Sequence, residues 1–124
     1  MPGFVHIDIS ADDPERAAHF YERVFGFAAI KLDGPEPYWL ITPPEGPGAG
    51  VGERTYDWQK VTATIDVPDV DATAEAIIAH GGKILIPRTT IPGIGMLVTF
   101  EDPEGNPMAA LQAAPGNPFA PPKS

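Results

Sequence analysis

The sequence predicts an α+β fold in which two tandem βαβββ modules form one curved mixed sheet, a cup, with the helices outside. The main observation is an internal repeat, because a shift of 56 positions carries Asp13 onto Asp69 and Gly26 onto Gly82 (69 − 13 = 82 − 26 = 56). Each copy also has the same order: an alternating strand, an acidic helix start, an alanine-rich helix, a glycine stop and further strands. A duplicated module of this kind places its functional site between its two copies.

The first module opens with a strand over residues 4–10, in which apolar and polar residues alternate. A helix follows, with Asp13 as its N-cap, Pro14 at its first position and Gly26 as its stop. Residues 43–50 are rich in glycine and proline and are predicted to be a loop. The remaining strands of this module are predicted at residues 27–32, 38–42 and about 51–55.

The second module repeats this pattern, with an alternating strand that begins at Val61 and a helix capped by Asp69 and stopped by Gly81-Gly82. Its later strands are predicted at residues 83–87, 96–101 and 107–112. We therefore expect one domain over residues 1–112, with module one at about 3–55 and module two at about 61–112. Residues 113–124 hold four prolines and are predicted to be a proline-rich tail.

Composition excludes several classes of function. The chain has 17 acidic and 8 basic residues, a formal charge of −9, so it lacks the clustered cations that nucleic-acid binding requires. It has no cysteine, which excludes disulfides and thiolate metal sites. It has no apolar run of membrane-spanning length and no basic leader, so we expect a cytoplasmic protein that does not bind membranes.

The polar faces of the two alternating strands are the first candidates for a site. Polar side chains in the middle of a sheet are explained by a small-molecule pocket on the side away from the helices. Simple exposure to solvent is the alternative explanation. Tyr38 and Trp39 are neighbours in the strand at 38–42, so we expect one of them to face the pocket, although either could pack in the core. Trp39 is the candidate because its ring can stack on a planar ligand. The predicted ligand pocket consists of Asp8, Trp39, Thr62 and Thr64, beside His6.

Several segments together resemble the vicinal oxygen chelate superfamily, which includes glyoxalase I, bleomycin-resistance proteins and extradiol dioxygenases. They begin with Asp12 to Tyr21 and Val24 to Phe27, and continue with Val67 to Ala72 and Gly81 to Lys83. The last is Phe100 to Asn106, and the resemblance covers about residues 3 to 112. The chain is most similar in character to predicted enzymes related to lactoylglutathione lyase.

The resemblance implies a divalent metal held by residues of the first and last strand of each module. His6 matches the first-strand position, and Glu53 matches the last-strand position, so both are the candidate catalytic residues and the candidate metal ligands. The shift of 56 gives Thr62 (6 + 56) and Ala109 (53 + 56) as their counterparts, and neither suits a metal. A divalent metal therefore stays open as a cofactor, with an incomplete ligand set.

Two functions remain open at this point. One is a glyoxalase-like lyase or isomerase that acts on a small compound with vicinal oxygens. The other is a metal-free, drug-type binding protein similar to the bleomycin-resistance proteins. A true lactoylglutathione lyase is disfavoured, because glutathione carries carboxylates and this chain has few cations to receive them. In both cases we expect a small-molecule ligand and a homodimer, the latter because the sheet would leave edge strands exposed.

Overall fold

A computed structural model describes residues 3–114, which form two compact units that are described separately below. One unit is His6–Thr62, and the other combines the residues from Ala63 onward with the start of the chain. Neither helix in this described part is long and apolar enough to cross a membrane. The elements are β1 (Gly3–Ala11), α1 (Pro14–Phe25), β2 (Ala28–Lys31), β3 (Tyr38–Thr42), β4 (Gly48–Glu53), β5 (Val61–Asp66), α2 (Val70–Ala79), β6 (Lys83–Ile91), β7 (Gly95–Glu101) and β8 (Pro107–Ala113).

In the first unit the strands lie in the order β2-β3-β4-β1. Strand β1 pairs in parallel with β4, while the β2–β3 and β3–β4 pairs are antiparallel. Helix α1 packs on one face of these strands, and Ala18, Ile41 and Val51 form the buried centre of that contact. The opposite face of the strands is thereby left to carry other side chains.

Local sequence explains where α1 begins and ends. The side chain of Asp13 accepts a hydrogen bond from the backbone N–H of Arg16, and Pro14 supplies a helical φ where no backbone donor is needed. Gly26 ends the helix at φ 72°, a left-handed conformation that favours glycine. The predicted cap and stop of this helix are confirmed.

The second unit has the same arrangement, with strand order β5-β8-β7-β6 and a parallel β5–β8 pair. Its core contains Val67, Val70, Val98 and Ala110. Asp69 caps α2 by accepting hydrogen bonds from two backbone N–H groups of the first turn. The α+β class and the two βαβββ modules predicted from the repeat are confirmed.

Two strands differ from the predictions by three or more residues at one end. Strand β4 begins at Gly48, inside the segment predicted to be a loop, and β6 continues to Ile91 rather than stopping at Pro87. The glycine-rich sequence hid the start of β4, because glycine usually weakens a strand and signals a turn. Strand β8 ends at Ala113, and residues 115–124 of the predicted proline-rich tail lie outside the described residues.

Strand register shows that the repeat has two different offsets. In the first unit Asp8 lies opposite Gly50, and in the second Thr64 lies opposite Ala109. The first strands are therefore related by 56 positions (64 − 8), but the last strands by 59 (109 − 50). The counterpart of Ala109 is Gly50, whereas a constant shift of 56 paired Ala109 with Glu53.

Candidate functional site

The two faces of the first unit's strands carry different chemistry. Residues directly opposite each other on neighbouring strands point to the same face, and successive residues alternate. Ile9, Val51 and Trp39 lie in one such row, on the face that packs against α1. The adjacent row lies on the face away from α1 and consists of Asp8, Gly50, Leu40 and Ile30.

Three polar side chains meet on the face away from α1. His6 Nε2 lies 3.2 Å from Asp8 Oδ1 and 3.3 Å from the hydroxyl oxygen of Tyr38. The Tyr38 hydroxyl donates to the same Asp8 oxygen over 3.5 Å. His6 is 3% exposed, whereas the side chain of Asp8 is 38% exposed, so Asp8 is the accessible member of this cluster. We call His6, Asp8 and Tyr38 the polar triangle.

Tyr38 is held in its neutral form. Burial raises the pKa of its phenol strongly, and both the negative charge of Asp8 and the hydrogen bond to Asp8 raise that pKa further. A neutral phenol retains its O–H donor at every working pH. Tyr38 therefore acts as a permanent hydrogen-bond donor next to the carboxylate of Asp8.

Glycines in β4 make room for the phenol ring. Gly48, Gly50 and Gly52 share the face of His6, since His6 lies opposite Gly48. A Cβ atom on Gly50 would overlap the hydroxyl end of Tyr38 and would come within 3.0 Å of His6 Nε2. A Cβ atom on Gly52 would lie 3.2 Å from the Tyr38 ring. The ring thus rests on bare backbone, and the glycines that hid the start of this strand in the sequence make room for the site.

The structure does not bring Glu53 to His6. Glu53 lies opposite Ala11, while His6 lies opposite Gly48, so five residues of strand separate the two positions, about 16 Å at 3.3 Å per residue. Because five is an odd number, Glu53 also points to the other face, and it is exposed. The 59-residue offset explains the difference, since the residue that corresponds to Ala109 is Gly50 and not Glu53.

Trp39 is also placed elsewhere. It belongs to the row that packs under α1, and its ring makes an edge contact with His19 at 5.4 Å between ring centroids. Tyr38, its neighbour in the sequence, takes the position on the site face. Every residue of Tyr38-Trp39-Leu40-Ile41 is large and apolar or aromatic, so the alternation gave no indication of which residues face which way.

The two threonines lie on one face of β5, two residues apart. Thr62 is half-buried, whereas Thr64 is 1% exposed and lies opposite Ala109 in the β5–β8 pair. Of the predicted site residues, the structure brings together His6 and Asp8. It places Tyr38, the alternative to Trp39, on the site face and adds Gly50. The signal that could have found Gly50 is the alternating glycine pattern of β4.

The residues of the polar triangle do not form a complete metal site. Among residues 3–114, no group of three or more His, Asp or Glu side chains is arranged to hold a metal ion. His6 and Asp8 supply two donors, and His6 Nε2 already contacts both Asp8 and Tyr38. A catalytic Zn²⁺ site takes three protein ligands, and a neutral phenol is a poor substitute for the third. The ligand set that the resemblance implied is therefore not reproduced by these residues.

Comparison with known proteins identifies the family. The sequence profile of the Glyoxalase/Bleomycin resistance protein/Dioxygenase superfamily matches residues 3–109. The chain belongs to this superfamily. Lactoylglutathione lyase from Haemophilus influenzae is 29% identical over 115 residues, which cover 82% of this chain and 85% of that protein. CFP32 from Mycobacterium tuberculosis, a protein described as a glyoxylase, is 27% identical over 87% of this chain. The chain spans less than half (43%) of the length of CFP32.

Solved structures show the same superfamily fold at low identity. Methylmalonyl-CoA epimerase from Mycobacterium tuberculosis superimposes with a TM-score of 0.69 and 14% identity. The match covers 91% of this chain and 89% of the epimerase. At this identity the likeness concerns the fold and does not extend to the reaction.

Proposed function

We propose that this glyoxalase-superfamily protein is an isomerase or lyase that transfers a proton at a carbon next to vicinal oxygens of a small compound. The observation that carries the proposal is the convergence of His6 Nε2 and the Tyr38 hydroxyl on one oxygen of Asp8. Such a cluster combines an accessible carboxylate with an oriented hydroxyl donor and an imidazole, which are groups that proton transfer uses.

In this proposal Asp8 is the catalytic base. Its side chain is accessible, so a substrate C–H group can reach the carboxylate, whereas His6 is buried. As the C–H bond breaks, negative charge develops on the neighbouring substrate oxygen. In this proposal the neutral Tyr38 hydroxyl, which donates to Asp8 in the free protein, turns to that oxygen once Asp8 has taken the proton. His6 orients Asp8. Return of the proton to the adjacent carbon completes an isomerisation that needs no oxidant.

The apolar part of the substrate is expected to lie along the row that begins at Asp8. Gly50, next in the row, has no side chain, and Leu40 and Ile30 follow it. Ile30 is 58% exposed, so this end of the row offers an apolar surface beside the polar triangle. A small molecule with a carbonyl–hydroxyl end and an apolar body fits these features. The glutathione and CoA groups in the names of the similar proteins are not part of this proposal.

The test uses the adduct of phenylglyoxal with 2-mercaptoethanol, a hemithioacetal whose C–H bond lies between vicinal oxygens. We expect the protein to convert it to the α-hydroxy thioester, followed by proton NMR in D₂O. Asp8→Asn should lower the rate by about 100-fold or more, because the base is lost. The matched control is Asp57→Asn, an exposed carboxylate of the same unit that should retain the wild-type rate.

A metal-free binding protein is the second candidate, and the incomplete metal ligand set favours it. In that case the adduct would stabilise the protein against heat, but no thioester would form in the wild type. Equal rates of thioester formation by the wild type and Asp8→Asn would show that the polar triangle takes no part in the reaction.

We further propose, for either function, that the protein is a cytoplasmic homodimer.

A further inference from the structure

We infer that the outer edge of β2 binds a second copy of this chain, by antiparallel pairing of the two β2 strands about a two-fold axis at Ile30. The inference rests on the proposed homodimer and names its surface. Strand β2 lies at the end of the order β2-β3-β4-β1, and within residues 3–114 no strand lies on its outer side. Such an edge presents a row of backbone N–H and C=O groups to another strand.

The register with β3 shows which backbone groups of β2 point outward. The N–H of Leu32 donates to the carbonyl of Tyr38 at 2.9 Å, so these two opposite residues form a hydrogen-bonded pair. Hydrogen-bonded and non-hydrogen-bonded pairs alternate along an antiparallel ladder. Ile30 therefore also bonds to β3, whereas Ala29 and Lys31 direct their N–H and C=O groups outward.

These outward groups favour one register for the proposed pair. With the axis at Ile30, Ala29 of one copy lies opposite Lys31 of the other, and each such pair exchanges two hydrogen bonds. Both pairs use the groups that point outward, so every bond of the new ladder is made without breaking a bond to β3. An axis at Lys31 would place two ammonium groups directly opposite each other, which is unfavourable.

The same register brings apolar side chains together on the face away from α1. Ile30 of one copy lies against Ile30 of the other, and Leu32 of each copy lies opposite Ala28 of its partner. Ile30 is 58% exposed and Leu32 is 37% exposed, and Ala28 is exposed as well. Contacts between apolar side chains across two strands stabilise their pairing, because they remove apolar surface from water.

Strand β6, the end strand of the second unit, lacks these features. It contains Pro87, which has no backbone N–H, and its register with β7 shifts at two places. It also carries Lys83 and Arg88. Prolines, bulges and cations protect an edge strand against association. Strand β2 has neither a proline nor a register shift, and its one cation, Lys31, belongs to the face that packs against α1.

The proposed pairing extends the candidate site across the axis. The row of Asp8, Gly50, Leu40 and Ile30 ends at the edge of β2. In the dimer the next residue of this row is Ile30 of the second copy, on the same face of the joined strands. Each copy thus completes the apolar surface that the other offers to a substrate.

Cysteine cross-linking tests the position of the axis, because the chain has no cysteine of its own. Opposite residues of a non-hydrogen-bonded pair have Cα atoms about 4.5 Å apart, within the range that a disulfide spans. We expect Ile30→Cys to form a covalent dimer on mild oxidation. The matched control is Val24→Cys on α1, a position that is 57% exposed. At micromolar concentration it should cross-link on the order of 100-fold more slowly, because only collisions bring its thiols together.

A second pair of variants tests the backbone contact. Lys31→Pro removes the outward N–H and leaves the bonds to β3 in place, so the loss of two hydrogen bonds per dimer should raise the Kd of the dimer by about 30-fold. Lys31→Ala loses the same charge, keeps the N–H and should dimerise like the wild type. Light scattering over a range of concentrations measures Kd. Circular dichroism checks the folding of Lys31→Pro, and the cross-linking result decides if that variant does not fold.

The outcomes separate the surface from the dimer itself. A wild-type mass of two chains, without faster cross-linking of Ile30→Cys than of Val24→Cys, would overturn the inference and leave the homodimer intact. Equal Kd values for folded Lys31→Pro and Lys31→Ala would also overturn it. A wild type that stays a single chain would overturn both the inference and the proposed homodimer. The thioester assay tests the proposed reaction independently of these results.

Discussion

Tyr38 combines a half-buried phenol with a carboxylate neighbour, and this pairing has a consequence for stability at high pH. Burial and the contact with Asp8 both oppose ionisation in the folded state, so the pKa of Tyr38 lies well above its ordinary value near 10. In the unfolded chain the phenol ionises at that ordinary value. Folding is thus penalised only once the pH rises above about 10.

We therefore predict that the wild type loses stability relative to Tyr38→Phe as the pH rises through 10 to 11. The raised folded-state pKa means that the stabilising contribution is complete below the unfolded-state pKa and decreases above it, by at most about 1.4 kcal/mol per pH unit. Urea unfolding at pH 8, 10 and 11 measures the difference. Tyr56→Phe, at a tyrosine that is 46% exposed, controls for the loss of a phenol as such. A difference in the free energy of unfolding between the wild type and Tyr38→Phe that stays constant from pH 8 to pH 11 would contradict the burial argument.

At the scale of elements, the composition of β4 matches the Tyr38 ring that packs on it. Its glycines at 48, 50 and 52 lie on the site face, while Ala49 and Val51 pack toward α1. One face of the strand is thus built for core packing and the other for an aromatic ring. Strand β4 therefore has two roles, since it pairs within the sheet and its glycines make room for the Tyr38 ring.

We predict that Gly50→Ala destabilises the protein by about 1–3 kcal/mol, the usual cost of overpacking. The added Cβ would overlap Tyr38 and crowd His6 Nε2, so the polar triangle should also lose its geometry. Unfolding in urea gives the free energy of unfolding. Gly3→Ala is the matched control, because an added Cβ there meets no atom within 4 Å.

The second substitution in this series relieves the overlap. Tyr38→Ala removes the ring that the new Cβ would strike, so in the Gly50→Ala background it should cost less than in the wild type. A double-mutant cycle measures this coupling. Additive free energies for the two substitutions would show that the ring and the glycine do not interact.

Sequence patterns predicted the positions of helices and strands better than the face of the sheet to which each side chain points. The N-caps at Asp13 and Asp69 and the strand at 38–42 were all predictable, because each rests on local backbone chemistry. The side-chain direction of Tyr38 and Trp39 was not, because both residues are large and aromatic and either could pack in the core. Glu53 was chosen by its match to the family's last-strand position, and only strand pairing shows the three-residue difference between the modules.

At the scale of the whole molecule, the two modules share topology but not chemistry. The position opposite the first strand is Gly50 in one module and Ala109 in the other, while Asp8 in the first corresponds to Thr64 in the second. The repeat therefore preserves the small residue of the last strand and varies the polar residue of the first. The polar triangle belongs to the first module alone.

We predict a homodimer of about 26 kDa in solution, twice the chain mass of 13.2 kDa. Edge strands and exposed apolar side chains are the physical reasons to expect association, and Phe20, Val24 and Phe25 of α1 are each more than half exposed. Light scattering coupled to size exclusion, over a hundredfold range of concentration, measures the mass. Asp8→Asn should have the same mass as the wild type. A constant mass near 13 kDa would exclude the dimer.

The bare backbone beneath Tyr38 also constrains how this chain can change over evolutionary time. A side chain at position 50 in the presence of Tyr38 carries the overpacking cost, because the two compete for the same space. We therefore expect loss of the ring to precede gain of a larger side chain at that position. A chain that keeps Tyr38 favours a small residue there.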